Sequence, residues 1–96
     1  MITLHIEHPI TEYRTWRKAF DGFAQGRIAG GVRAARVAQP VDDPHYIVID
    51  LDFDTTGEAA SFLAFLQNNV WASPSSAPAL VGAPRTSILQ PAPDEL

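Results

Sequence analysis

The sequence predicts a two-layer α+β fold of element order β-α-β-β-α-β, with an antiparallel four-stranded sheet under two helices. Three observations carry that expectation. Residues 2–7 and 45–53 alternate apolar and polar side chains with period two, the mark of half-buried strands. Residues 13–23 and 55–70 repeat their apolar positions at helical spacing. A turn cluster, Pro40-Val41-Asp42-Asp43-Pro44, separates two extended runs and makes them neighbours in a hairpin.

Each element has its own signature. In Ile2-Thr3-Leu4-His5-Ile6-Glu7 the residues Ile2, Leu4 and Ile6 share one face, and His8-Pro9 is expected to end the strand, since proline lacks the ladder N–H. Thr11 offers an N-cap oxygen. Tyr13, Trp16, Phe20 and Phe23 then form one helical stripe, with Phe20 expected in the core, and Arg17 faces Asp21 at i,i+4. Gly22, Gly26 and Gly30-Gly31 are stop signals, so this helix should end between residues 22 and 27. Val32 to Gln39 reads as a strand of weak alternation. His45 to Asp52 is the clearest strand: Ile47, Ile49, Leu51 and Phe53 take one face, and Tyr46, Val48, Asp50 and Asp52 the other. Thr55-x-x-Glu58 fits a capping box that opens a helix through Ala59, Phe62, Leu63, Phe65, Leu66 and Val70. Asn69 or a later residue is expected to close it in the left-handed conformation. Residues 73–84, with Pro74, Pro78 and Pro84, form a long loop, and Arg85 to Gln90 a short closing strand. One domain over 1–90 and a C-terminal tail over 91–96 result.

That order is the ferredoxin-like arrangement, which leaves one sheet face without helices. The uncovered face offers Thr3, His5, Val48, Asp50 and Asp52, a mixed surface suited to a second copy of itself. A 96-residue chain buries only roughly 60–65% of the surface its unfolded form exposes, so dimerisation would help it.

Composition narrows the partners. With 7 Lys+Arg against 11 Asp+Glu, the net charge is -4, which argues against nucleic acid because phosphate binding needs a dense cationic face. There are no cysteines, so thiolate chemistry and Cys-ligated metal sites are excluded. The start Met1-Ile2-Thr3-Leu4-His5 lacks the basic, then apolar pattern of a signal peptide, and no run approaches the ~20 apolar residues of a membrane span. A cytoplasmic domain without membrane contact is expected.

The runs Tyr13-Arg14-Thr15-Trp16-Arg17-Lys18-Ala19-Phe20-Asp21, Arg36 to Tyr46 with its Asp-Asp-Pro turn, and Leu51-Asp52-Phe53-Asp54 followed by Glu58-Ala59-x-x-Phe62-Leu63 resemble those of small dimeric α+β-barrel proteins. The resemblance spans residues 2 to 90 and points to the superfamily of antibiotic-biosynthesis-monooxygenase-like and polyketide-cyclase-like proteins. It implies a homodimer in which two ferredoxin-like subunits pair their sheets into a barrel. It also implies cofactor-independent monooxygenase or cyclase-like activity on a small apolar or aromatic metabolite. The motifs speak for the fold and poorly for the reaction.

Among individual residues, His5 and Asp50 are the catalytic candidates: His5 as a base near neutral pH, Asp50 as a partly buried carboxylate. The competing reading makes His5 a hydrogen-bonded dimer-contact residue and pairs Asp50 with Arg33 or Arg36, whichever the hairpin register brings opposite. His8 and His45, beside prolines, are expected to be exposed. The histidine spacings do not suit a metal, and Asp50-x-Asp52-x-Asp54 lacks the glycine and twelfth-position acid of a calcium loop, so neither metal nor cofactor is expected. Tyr13, Trp16, Phe65, Trp71 and Leu80 are the candidate substrate-binding residues, although aromatics at helical spacing are ordinarily core. Leu80 and Val81 would anchor the long loop as a lid with Trp71 at the rim. The serines lack a nucleophile-elbow context, and Gly30-Gly31 precedes a strand instead of opening a phosphate-binding helix. Two functions stand: a pocket between sheet and helices for an apolar metabolite, or a non-catalytic dimeric binding or accessory protein.

Overall fold

The structure, a computed structural model, describes residues 1–93; Asp94, Glu95 and Leu96, the end of the expected tail, lie outside the described residues. Strand β1 (Ile2–Pro9) leads into helices α1 (Tyr13–Gly22) and α2 (Ala24–Ala29), then strands β2 (Ala34–Ala38) and β3 (Tyr46–Phe53). Helix α3 (Thr56–Phe65) continues as a π-helical turn over Leu66–Val70, and β4 (Arg85–Leu89) closes the sheet. The strands lie in the order β2-β3-β1-β4, and every neighbouring pair is antiparallel. This is the ferredoxin-like α+β fold.

Period-two alternation sorts the side chains. Leu4 and Ile6 from β1 and Ile47, Ile49, Leu51 and Phe53 from β3 are buried together with Trp16 of α1 and Ala59 and Phe62 of α3. The Phe53 and Phe62 rings meet at 5.7 Å between centroids, which ties the far end of β3 to the middle of α3. Thr55 caps α3 as its sequence requires: its Oγ1 accepts from the Glu58 N–H at 3.1 Å. Two glycines let the chain pass from α2 to β2 beneath that helix. A Cβ on Gly30 would stand 2.5 Å from the Phe62 ring, and Gly31 adopts φ +96, where side chains are strained.

Several expectations need correction. Strand β1 does not stop before His8, because proline forfeits an N–H without breaking the pleat. The alternation runs on, and His8 is buried at 3% exposure instead of exposed. His45 is exposed, as expected. Helix α1 has Glu12 at its N-cap with no side-chain cap, and Thr11 lies one residue before it, its backbone N–H donating to Ala79 O at 2.9 Å. After Gly22 the chain re-enters helix as α2, since an interior glycine such as Gly26 costs only about 1 kcal/mol. Asn69 is not left-handed, for no non-glycine residue among those described has positive φ; the Trp71 N–H instead reaches Leu66 O at 2.7 Å and widens the last turn. In the long loop Ala79 is buried and Leu80 partly so, whereas Val81 is exposed at 42%.

Phe20 is only half-buried, while Phe53 is fully buried. Phe53→Ala should therefore cost about 3–5 kcal/mol of folding free energy and Phe20→Ala clearly less. Urea denaturation checks the order; equal costs would show that the α1 stripe carries as much core as β3.

Candidate functional site

The sheet separates two chemically distinct surfaces. On the face turned away from the helices, His5 of β1 stands opposite Asp50 of β3 in register, and Glu7 lies two residues along the same face. His5 Nδ1 meets Asp50 Oδ1 at 2.7 Å and Nε2 meets Glu7 Oε2 at 2.8 Å. The Tyr46 hydroxyl donates to the other Glu7 oxygen at 2.7 Å. Hydrogen bonding to Glu7, then to Asp50, raises the pKa of His5, while the His5 and Tyr46 bonds lower that of Glu7. In the protonated form that both carboxylates favour, each ring nitrogen donates to one of them, and no lone pair is left for a substrate proton. His5 is the hub of this face.

The hairpin register also resolves the arginines. Arg36 is the residue opposite Asp50, yet its guanidinium reaches diagonally to Asp52 in a two-pronged contact of 2.7 and 2.9 Å. Arg33 takes Asp54 at 2.6 and 2.9 Å. Neither arginine pairs with Asp50, because His5 is the nearer cross-strand partner. Arg36, then the Thr3 hydroxyl at 2.7 Å, holds the Asp52 carboxyl down at about 2.

On the other side, between sheet and helices, lies a cavity of about 90 Å³. Trp16 and Phe20 of α1, stacked at 4.8 Å, form part of its wall. Phe65, Leu66, Val70 and Trp71 supply another part, so the widened π turn shapes the cavity lining. The loop segment Ala77 to Leu80 closes a third side. That segment is stitched to the end of β1 by Thr11 N–H to Ala79 O and by Val81 N–H to Pro9 O at 3.3 Å.

Two ionisable groups interrupt this apolar lining. His8 enters from the sheet as the next inward residue after Ile6. Its Nδ1–H donates to Pro9 O at 2.8 Å, which fixes the tautomer and leaves Nε2 unprotonated, with no protein partner among the described residues. Burial, only partly offset by that bond, lowers its pKa, so the ring is neutral near pH 7. Arg27 of α2 stands at the other polar position, its guanidinium 3.6 Å over the Phe20 ring and Nη1 donating to Phe20 O.

Of the residues singled out from sequence, Trp16, Phe65, Trp71 and Leu80 line the cavity. Tyr13 is exposed at 37% and does not reach it, because the first residue of α1 lies beyond the edge of the stripe that packs inward. His5 and Asp50 come together, but on the opposite side of the sheet from the cavity. His8 and Arg27 were missed. Extending the alternation of β1 by one step would have found His8; no local signal marks Arg27, whose place depends on the unexpected helix α2.

No family model matches the chain, and no curated protein matches its sequence. Solved structures do match its fold. A protein of Bordetella bronchiseptica provisionally described as an antibiotic biosynthesis monooxygenase superposes with a TM-score of 0.73 at 10% identity, over 95% of this chain and 96% of that one. One from Deinococcus radiodurans with the same provisional description gives 0.67 at 14% identity, over 100% and 97%. A dimeric ferredoxin-like protein from an uncultured marine organism gives 0.60 at 8% identity, over 100% and 99%. At such identities the likeness is one of fold.

The two histidines should titrate on opposite sides of the ordinary value of 6.5. His5, raised, contributes stability that is fully present below pH 6.5 and is lost as pH rises through its folded pKa. His8, lowered, contributes stability present above 6.5 and lost as pH falls toward its folded pKa. Imidazole NMR titration should place the His5 midpoint above that of His8; the reverse order would overturn the assignment of hub and buried base.

Proposed function

We propose that the cavity between sheet and helices binds a small planar, largely apolar metabolite, and that the protein acts on it without a cofactor, as an oxygenase or cyclase-like enzyme. The observation that supports this is the neutral His8 in a wall that is apolar apart from Arg27, with one nitrogen pinned to Pro9 O and the other free. A base so placed can take a proton from a phenol or an acidic C–H, leaving an electron-rich anion shielded from water. Such an anion can react with dioxygen or close onto an internal carbonyl. The names of the solved structures that share the fold lend the oxygenase reading a precedent.

Cavity size constrains the ligand. At about 90 Å³ it is smaller than the ~150 Å³ engineered cavity known to accept benzene. A single ring therefore enters only with its edge in the mouth or with the 77–80 segment displaced, while a fused system needs that segment to move. This tightness favours a second reading, a non-catalytic binding protein. Assembly belongs to both readings. We infer a homodimer in which the open sheet faces meet and bury the His5–Glu7–Asp50 cluster; the marine neighbour that shares the fold is described as dimeric.

Light scattering at micromolar concentration should give about 21 kDa, twice the 10.5 kDa chain; a monomer would refute the pairing. Single-ring phenols and cyclic ketones should raise the melting temperature and quench Trp16 and Trp71 fluorescence. His8→Gln should keep binding but abolish oxygen uptake or cyclisation if the protein is an enzyme. Binding with no turnover in the native protein selects the second reading.

A further inference from the structure

We propose that the cavity selects ligands bearing one anionic group, a ring carboxylate being the simplest, and that Arg27 is the residue that recognises the anion. This rests on the reading of the cavity as a metabolite site and adds to it the charge of the ligand. Only His8 and Arg27 among the lining residues are ionisable, and His8 is neutral, so Arg27 gives the apolar wall one uncompensated positive charge. Arg17, Arg33 and Arg36 each hold a carboxylate elsewhere in the molecule. Arg27, at the cavity, pairs with none among the described residues. Asp21, the acid whose charge reaches it, is engaged with Arg17 at 3.1 Å.

The contacts that Arg27 does make leave its recognition edge available. Phe20 covers one face of the guanidinium, and the Phe20 carbonyl takes Nη1. Nε and Nη2 have no partner among the described residues. Stacking fixes the plane of the fork, and a fixed fork is the geometry that binds a carboxylate through two parallel hydrogen bonds. Burial lowers the Arg27 pKa, yet a guanidinium keeps its charge at any physiological pH, so an arriving anion relieves an existing desolvation cost. Because Arg27 is only half-buried, its charge belongs at the mouth. That position suits a ligand whose ring sits inside and whose carboxylate stays at the rim, one of the two poses the small cavity volume allows. Arg27 could instead serve only to staple α2 onto the end of α1, in which case ligand charge would be irrelevant.

Benzoate and benzamide share a ring and differ in charge, so they separate these roles. The ¹⁵N-labelled full chain at pH 7 should bind benzoate at least tenfold more tightly than benzamide, with the Arg27 Nε–H signal moving for benzoate alone. Added salt should weaken benzoate and leave benzamide unaffected. In Arg27→Met, which keeps an apolar stem over Phe20, benzamide affinity should persist and the benzoate advantage disappear. Equal affinities in the native protein, or an advantage that survives in Arg27→Met, would overturn the assignment while leaving the cavity reading intact. If neither compound binds at millimolar concentration, the cavity reading fails and this inference with it. Should Arg27→Met not fold, the native salt dependence and the Arg27 Nε–H shift decide the question alone.

Discussion

A strand presents each side chain to one face only, and in this protein the two central strands carry almost everything. The register of β1 against β3 pairs Leu4 with Leu51, Ile6 with Ile49 and His8 with Ile47 on one side, and His5 with Asp50 and Thr3 with Asp52 on the other. A slip of one residue would bring Asp50 and Asp52 into the core and expose Phe53. The core, the polar cluster and the cavity base are therefore set together. Burial of four β3 side chains and two from β1 supplies the driving force that holds the register against such a slip.

The same alternation keeps two kinds of chemistry apart. On the open face, charges are close and mutually satisfied: His5 bridges two carboxylates, Tyr46 supports one of them, and Arg36 with Thr3 secures Asp52. These mutual contacts lower, without removing, the desolvation cost that a covering surface would have to offset, since an unpaired buried charge costs far more. On the helix side, polarity is scarce, and each polar group keeps unused capacity. His8 retains a free nitrogen, and Arg27 retains two donors. Water exclusion makes the His8 nitrogen more effective there than on the surface.

Backbone irregularities cluster around the cavity. The π turn at Leu66–Val70 widens the end of α3 where Val70 and Trp71 enter the wall. The Ala77–Leu80 segment closes the space through short apolar side chains and two backbone hydrogen bonds to the β1 end, a light attachment compared with the ladder of a full strand. The segment that closes this side of the cavity is therefore held more lightly than the strands beneath it.

The sequence by itself determined the element order apart from helix α2, the faces of β1 and β3, the capping box at Thr55 and the antiparallel hairpin. These depend on spacings of two to four residues, which are visible locally. It also supplied four wall residues, Trp16, Phe65, Trp71 and Leu80, as large apolar side chains on the helices and the long loop. The tertiary structure decided the rest. Whether Asp50 meets an arginine or His5 depends on side-chain reach across three strands, and Arg36 reaches past its opposite residue to Asp52. Proline hid His8, since its missing N–H looks like a strand end although the pleat continues through it. Arg27 reached the cavity only because α2 formed past two glycines that read as stop signals, and a guanidinium stacked on Phe20 is fixed by packing that no short-range pattern encodes.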